Sequence, residues 1–310
     1  MMRRAAFTAV AIASALAIAG CGLGAGKATS GVVTLTVTRG FGTAPVGSVS
    51  EKSIPGSQTV MRMLERSFKV TTRYSGGFVQ SIDGNAGSSA RLDWFYYVNG
   101  IEAPMGAAGT SVNKGDRIWW DLHDWTVTDS IPAVVGSFPE PFIHGIGGRR
   151  YPTTLECASD ANAACQRVTS ELDAIGVKVA SQALGAGGSG TDSLAVVVGT
   201  WRDVQGEFAA SSIEAGPASS GIYARFGGTD GSSLELLSPH GQVVRTLGAG
   251  AGLVAATANT SSAPVWLITG TDLAGVSAAA KALTPARLRD HFALAVQGGT
   301  DLPVPLEATS

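Results

Sequence analysis

The alternation of apolar and polar residues after the first thirty positions predicts a half-buried β-strand over residues 32–39. Its two faces differ in kind, with apolar residues on one and hydroxyl residues on the other: Val33, Leu35 and Val37 against Thr34, Thr36 and Thr38. A turn-rich loop is expected from Phe41 to Pro55. Apolar positions at helical spacing over residues 59–68 then predict one amphipathic helix, with Ser57 or Thr59 as its N-cap.

An aromatic stretch from Leu92 to Trp125 follows two short strands predicted at 70–74 and 78–82, and it holds four of the six Trp of the chain. Residues 92–98 predict a strand, and 117–122 predict the strand that closes the sheet. Asn99-Gly100 between them predicts a tight turn, because both residues tolerate positive φ. Trp119 and Trp120 are adjacent on a strand and must point to opposite faces, so one of them is expected to leave the core side.

The order of these elements predicts an α+β protein. A strand, a helix and several further strands over residues 31–126 match a β-grasp-like sheet with one helix across a face. Residues 127–141 contain three prolines and are interpreted as a linker, although 133–138 are apolar enough to form a strand. From 142 to 310, strands alternate with helices, which predicts a separate α/β domain.

The second domain is predicted in more detail by its caps and apolar runs. Ser159 or Asp160 is expected to cap a helix ending near residue 175, and Asp272 is expected to cap another. The apolar run from Leu194 to Val198 predicts a strand that is buried on both faces. Gly250 to Ala255, with Asp272 about twenty residues on, fits a dinucleotide-binding fingerprint. A Gly/Ala-rich turn between strands explains this segment better, because too few residues follow for a full helix.

The first twenty residues are interpreted as a signal peptide and set apart from the fold. Arg3 and Arg4 precede an apolar run that is shorter than the ~20 residues needed to span a bilayer. The run ends in Leu16-Ala17-Ile18-Ala19-Gly20-Cys21, which resembles the lipobox of bacterial lipoproteins. The resemblance implies that Cys21 carries the lipid and becomes the N-terminus, and that residues 21–30 form a flexible tether. The alternative is an ordinary secretory signal with an incidental Cys.

These features predict that the protein lies on the extracytoplasmic face of the cell membrane, attached through a lipid anchor. The net charge is −2 and no basic block is present, so nucleic acid is not an expected partner. Export would expose Cys157 and Cys165 to an oxidising compartment, where a disulfide between them is expected. A metal pair is the alternative for these two cysteines.

Short motifs in the first domain resemble a known family. They are Gly77-Phe78-Val79, Ile82-Asp83-Gly84, Trp94-Phe95-Tyr96-Tyr97-Val98-Asn99-Gly100 and Lys114-Gly115-Asp116-Arg117-Ile118-Trp119-Trp120. Together they resemble the transcobalamin-like C-terminal domain over about residues 31–126, which implies a β-grasp-like fold. In transcobalamins this module covers one side of a corrinoid, so the resemblance implies one candidate cofactor, cobalamin. The larger helical barrel that holds the other side is absent here, and otherwise no cofactor is expected.

The candidate ligand-binding residues are the aromatic and imidazole side chains of this stretch: Trp94, Tyr96, Trp119, Trp120, His123 and Trp125. Exposed aromatic rings beside polar groups form binding surfaces. A purely structural role is the competing interpretation for Trp94, Tyr96 and Trp119. Asp121 and His123 share a strand face, but two ligands do not make a metal site.

No catalytic constellation stands out from the sequence, so no catalytic or metal residue is assigned. The expected function is that of a non-enzymatic lipoprotein that binds an unidentified small molecule or protein. One alternative is a binding component that delivers a small molecule, such as cobalamin, to an importer. The other is an exported enzyme of unknown chemistry.

Overall fold

A computed structural model describes residues 29–74, 76–88, 90–185, 192–228, 230–259 and 263–307. The predicted signal peptide, Cys21 and most of the tether lie outside this part of the chain. No helix within it is long and apolar enough to cross a membrane. Mixed sheets dominate the structure and helices are few, which confirms the predicted α+β class.

The elements of the first half are β1 (Thr29–Arg39), β2 (Ala44–Ile54), α1 (Val60–Ser67), β3 (Val70–Arg73), β4 (Phe78–Ile82), β5 (Asn85–Ala86), β6 (Leu92–Val98), β7 (Ile101–Glu102) and β8 (Arg117–Asp124). Five strands form one sheet in the order β2-β1-β8-β6-β7. β1 and β8 are parallel, whereas the neighbouring pairs are antiparallel. β3, β4 and β5 form a small separate sheet.

The apolar face of β1 packs against helix α1. Val33, Leu35 and Val37 are buried together with Met63 and Leu64 of the helix. α1 begins after its N-cap residue, whose hydroxyl accepts a hydrogen bond from the Arg62 amide at 3.3 Å. The predicted strand and helix are therefore confirmed, and Thr59 is the cap.

The prediction of a loop over residues 41–55 is wrong, because most of this segment forms strand β2 along the edge of the sheet. β2 pairs only with β1 in the described structure, and its side chains are mostly half-buried or exposed. Gly47, several serines and two register shifts against β1 blur its period-2 pattern. Edge strands lack the strong apolar alternation by which buried strands are recognised.

The elements of the second half are β9 (Thr153–Cys157), α2 (Asn162–Ala174), β10 (Val179–Ala183), β11 (Leu194–Thr200), α3 (Trp201–Val204), α4 (Phe208–Glu214), α5 (Pro217–Ser220), β12 (Ala224–Gly227), β13 (Ser233–Leu237), β14 (Val243–Leu247), β15 (Gly252–Thr257), β16 (Val265–Gly270), α6 (Leu273–Ala282), α7 (Pro285–Leu288), β17 (Ala293–Gln297) and β18 (Thr300–Val304). Seven strands form a mixed sheet in the order β10-β9-β11-β16-β15-β17-β18, and β12, β13 and β14 form a meander.

Strand β11, in the interior of the seven-stranded sheet, is buried on both faces, as its apolar run predicts. Val196 and Val198 face a core that includes α2 and α6, while Ala195 and Val197 face a second core that includes α4 and the meander. Asp272 caps α6, because its Oδ1 accepts a hydrogen bond from the Gly275 amide at 2.8 Å.

A disulfide joins Cys157, at the end of β9, to Cys165 in α2, as the sequence predicts.

Other details of the second half differ from the predictions. Ala161 is the N-cap of α2, with no side-chain hydrogen bond, so neither proposed cap residue holds that position. Residues 252–257 form strand β15, which leaves no helix for a dinucleotide fingerprint.

The segment assigned to a linker, residues 127–141, is largely buried between the two halves. The Val134 amide donates to the Gly100 carbonyl at 2.8 Å, and the Val135 amide donates to the Phe292 carbonyl at 3.1 Å. Residues 133–138 adopt turns with one isolated bridge, so the strand considered there does not form. The domain boundaries at 126 and 142 stay predictions.

Close packing at this junction predicts that Gly136→Ala destabilises the protein by ~1–3 kcal/mol, as overpacked sites do. A Cβ at this position would lie 2.8 Å from the Trp119 ring and 2.8 Å from the His291 amide nitrogen. Gly248→Ala is the matched control, because a Cβ there meets nothing within 4 Å. Urea unfolding of both variants measures the effect, and equal midpoints would contradict the packing described here.

Candidate functional site

The face of the first sheet opposite α1 is partly covered by the second half. The contact is a cluster that we call the aromatic seam, made of Phe41, Tyr97, Trp119, Ile131, Val134, Tyr223, Leu237 and Phe292. The Phe292 ring meets the Trp119 ring edge to face at 5.0 Å and the Tyr97 ring at 5.7 Å. Such ring pairs add stabilisation beyond the burial of their area.

A buried carboxylate in β8 ties this seam to the β1–β2 turn. Asp121 is fully buried and accepts hydrogen bonds from the amides of Phe41 and Gly42, both at 2.9 Å. Residues 40–42 all have positive φ, and consecutive amides in such a turn form an anion-binding concavity. The hydroxyl of Thr38 also donates to Asp121, and it accepts a hydrogen bond from Trp119 Nε1 at 2.7 Å.

His123 completes the same network and is enclosed by rings. Its Nδ1 lies 3.0 Å from Asp121 Oδ1, and an ionised carboxylate only accepts, so Nδ1 donates. The imidazole stacks between Phe41 and Phe95, at centroid distances of 4.7 and 4.4 Å. It is 2% exposed, so a substrate has no access to this pair. The described residues contain no group of three or more His, Cys, Asp or Glu that could hold a metal ion.

The other predicted residues are distributed over different environments. Trp94, Tyr96 and Trp120 lie in the core beneath α1, where the Tyr96 and Trp120 rings stack at 4.7 Å. Trp119 lies on the opposite face, in the seam, which confirms that the two adjacent tryptophans point apart. Trp125 is half-buried just beyond β8, and its amide donates to the Arg91 carbonyl at 2.9 Å. The six residues therefore do not converge on one surface.

Beyond the aromatic seam, the same sheet face is uncovered and forms the floor of an open cleft of about 560 Å³. This volume falls within the range typical of small-molecule sites. The floor carries the hydroxyl face of β1 and its neighbours: Thr34, Thr36, Val46 and Ser48. The wall comes from the far side of the junction: Gly136, Ser137, Arg289 and Asp290. Arg117 and Trp119 of β8 lie between floor and wall.

Three charged side chains line this cleft. Arg117 donates to the Phe138 carbonyl at 3.0 Å, and burial lowers its pKa, with the nearby Arg289 acting in the same direction. Arg289 is exposed and its guanidinium forms no ion pair or hydrogen bond with any residue that the structure describes. Burial raises the pKa of Asp290, whose backbone has φ +59°. Two cations and one carboxylate therefore face a hydroxyl-rich floor.

Sequence reasoning missed this cleft because its wall and floor are far apart along the chain. Arg289 and Asp290 follow a short helix near the C-terminus, and no motif connects them with β1. The signal in the sequence that could have indicated the cleft is the hydroxyl face of β1. Thr34 and Thr36 alternate with apolar residues, so this face of the strand is polar.

A second cleft of about 640 Å³ lies at another part of the junction, between residues 101–104 and helix α4. Its charged lining residue, Glu102, already accepts hydrogen bonds from the Ser130 hydroxyl at 2.6 Å and the Ile131 amide at 3.1 Å. Burial raises the pKa of this carboxyl group. The 560 Å³ cleft is the better ligand-site candidate because Arg289 retains unused hydrogen-bond donors.

Comparisons with known proteins match only part of the chain. The profile of a family described as a domain of unknown function, DUF4430, matches residues 57–124. A protein from Ruminococcus gnavus ATCC 29149, provisionally described as metal binding, aligns with 18% identity and a TM-score of 0.26, covering 30% of this chain and 97% of that one. Haptocorrin in complex with Cbi aligns with 12% identity and a TM-score of 0.25, covering 31% of this chain and 26% of haptocorrin. No curated protein matches the chain.

The carboxylate network predicts that Asp121→Ala lowers the free energy of unfolding by about 3 kcal/mol or more. The substitution leaves the buried donors of Phe41 and His123 and the half-buried amide of Gly42 without an acceptor, and each buried donor without a partner costs ~1–3 kcal/mol. Asp129→Ala is the control, since Asp129 is exposed. Denaturant unfolding compares the two variants, and a loss below ~0.5 kcal/mol for Asp121→Ala, the range of ordinary surface substitutions, would show that the network contributes little.

Proposed function

We propose that this chain is a lipid-anchored, extracytoplasmic binding protein whose ligand site is the 560 Å³ cleft between the first sheet and residues 289–290. The observation that carries the proposal is the combination of an open, hydroxyl-rich floor with a guanidinium that forms no hydrogen bond or ion pair in the described structure. Ligand sites commonly occur where two domains meet, with a few polar groups that fix the ligand's orientation.

The proposed role is non-enzymatic. The pair that most resembles catalytic machinery, Asp121 and His123, is enclosed by aromatic rings and uses its hydrogen-bonding atoms to hold the β1–β2 turn. The groups that do face the cleft are guanidiniums, hydroxyls and one carboxylate. These groups suit recognition of a polar ligand, and they include no nucleophile activated by a neighbouring base.

The anchor is part of the same proposal and rests on the lipobox-like residues that end at Cys21. Stable attachment would come from several acyl chains, because each buried CH₂ contributes ~0.8 kcal/mol. A binding protein held in this way keeps its cleft close to the membrane, where a captured ligand could pass to a membrane importer.

The anchor is tested by Cys21→Ala, which should move the protein from the membrane fraction to the soluble fraction when cells are fractionated. Loss of the thiol removes the atom to which the lipid would be attached. Gly24→Ala in the predicted tether serves as the control and should remain with the membrane. Equal partitioning of the two variants would refute lipid attachment at Cys21.

The ligand site is tested by filling the cleft. Thr36→Trp places a bulky side chain on the floor, at a half-buried strand position where aromatic residues are tolerated. Thr246→Trp, on an exposed position of β14, is the matched control. The full chain, purified in mild detergent, is titrated with neutral sugars, sugar acids, sugar phosphates and corrinoids. Corrinoids are included because of the resemblance to the transcobalamin-like domain.

The expected result is that at least one of these compounds binds the wild type and the Thr246→Trp variant but not the Thr36→Trp variant. Binding that survives Thr36→Trp would place the site elsewhere. Failure of every compound to bind would overturn the cleft as a small-molecule site.

A further inference from the structure

The charges of the cleft specify more than a generic polar ligand. Arg289 is exposed at the cleft wall, and Arg117 lines the same cleft. Burial lowers the pKa of Arg117, and the repulsion from Arg289 acts in the same direction, against the attraction of Glu140 and Asp290. Arginine is the side chain best suited to paired hydrogen bonds with a carboxylate or phosphate, because its donors form a planar fork. An anion between two such groups would relieve their repulsion.

Existing partners leave this pair available. Arg117 uses Nη1 for the Phe138 carbonyl, which fixes the guanidinium at the cleft while its other nitrogen donors remain. The nearby buried carboxylate of Glu140 is bonded to His144, through the backbone amide at 2.9 Å and the imidazole at 2.6 Å. The cleft's own carboxylate, Asp290, forms no ion pair with either arginine at 4 Å or less in the described structure.

The remainder of the cleft surface is suited to a hydroxylated molecule. Thr34 and Thr36 alternate along β1 toward the cleft, and the Thr36 hydroxyl lies 3.4 Å from that of Ser48. This separation is long for a hydrogen bond, so both hydroxyls can turn to a ligand. Val46 beside them offers apolar contact for the carbon face of a sugar ring.

We infer that the cleft binds an anionic, hydroxyl-bearing small molecule of the sugar acid or sugar phosphate class, with its anionic group between Arg117 and Arg289 and its hydroxyls over the threonine floor. This inference rests on the proposed function, because it specifies the ligand of the same cleft. Asp290 acts against the anion and therefore limits its affinity.

The test measures binding of glucose, glucuronate, glucose 6-phosphate and inorganic phosphate to the exported protein by titration calorimetry. Glucuronate and glucose 6-phosphate are expected to bind more tightly than glucose, and added salt should weaken their binding, since a partly exposed ion pair is screened. Inorganic phosphate separates the contribution of the anionic group from that of the sugar. If it binds as tightly as glucose 6-phosphate, the sugar is not part of the inferred ligand class.

Three variants test whether the charged side chains cause the tighter binding of the charged sugars. Arg289→Ala should weaken binding of the charged sugars at least about tenfold, since a lost hydrogen bond to a charged group has an effect of that order. Asp290→Asn should strengthen it, and Asn tolerates the left-handed backbone found there. Arg245→Ala is the control and should leave affinity unchanged, because Arg245 is exposed on β14 and does not line the cleft.

The inference and the proposed function fail in different ways. If glucose binds as tightly as its charged derivatives, or if Arg289→Ala has no effect, the anion assignment is wrong, while a loss on Thr36→Trp still supports the cleft as a binding site. If no anionic compound binds even at millimolar concentration, the inference is overturned. The proposed function is overturned when the neutral compounds and corrinoids also fail, or when binding survives Thr36→Trp.

Discussion

The structure depends on one buried carboxylate. Asp121 is fully buried and accepts four hydrogen bonds. Without these donors, a buried charge at this position would strongly destabilise the fold. Its amide donors come from a left-handed turn that needs Gly42, because a Cβ at that position would lie 1.8 Å from the Asp290 carbonyl oxygen. One side chain of β8 thus fixes the β1–β2 turn, which in turn packs against the wall of the cleft.

The same strand organises the two halves of the protein. Trp120 enters the core under α1, and Trp119 enters the aromatic seam with Phe292. Because neighbouring strand residues point to opposite faces, a strand with bulky apolar side chains at consecutive positions needs a cover on both sides. The second half and residues 127–141 supply that cover over β8 and β6. The sheet is wider than its cover, however, and the cleft floor is the strip of β1 and β2 that extends beyond it.

Local patterns predicted local structure well. The alternation of residues 32–39, the spacing in α1 and the Asn99-Gly100 turn, with φ values of 55° and 79°, all arise from neighbours in sequence. The failures share a long-range cause. β2 has little burial pattern of its own, and residues 127–141 look like a linker until Phe292 and Tyr223 are brought against them. His123 is a candidate ligand-binding residue in the sequence, but it is buried because Phe41 and Phe292, which are far away along the chain, pack against its ring.

The polar face of β1 is the part of the proposed site that is visible in the sequence. A strand at the centre of a two-sided junction would normally carry apolar residues on both faces, as β11 does. β1 instead keeps threonine at alternate positions, and only Thr38 is covered, where it bridges Trp119 and Asp121. Thr34 and Thr36 are not held in this way and line the cleft instead. A hydroxyl surface on a paired strand, next to a guanidinium without a hydrogen bond or ion pair in the described structure, is the arrangement on which the proposed ligand site rests.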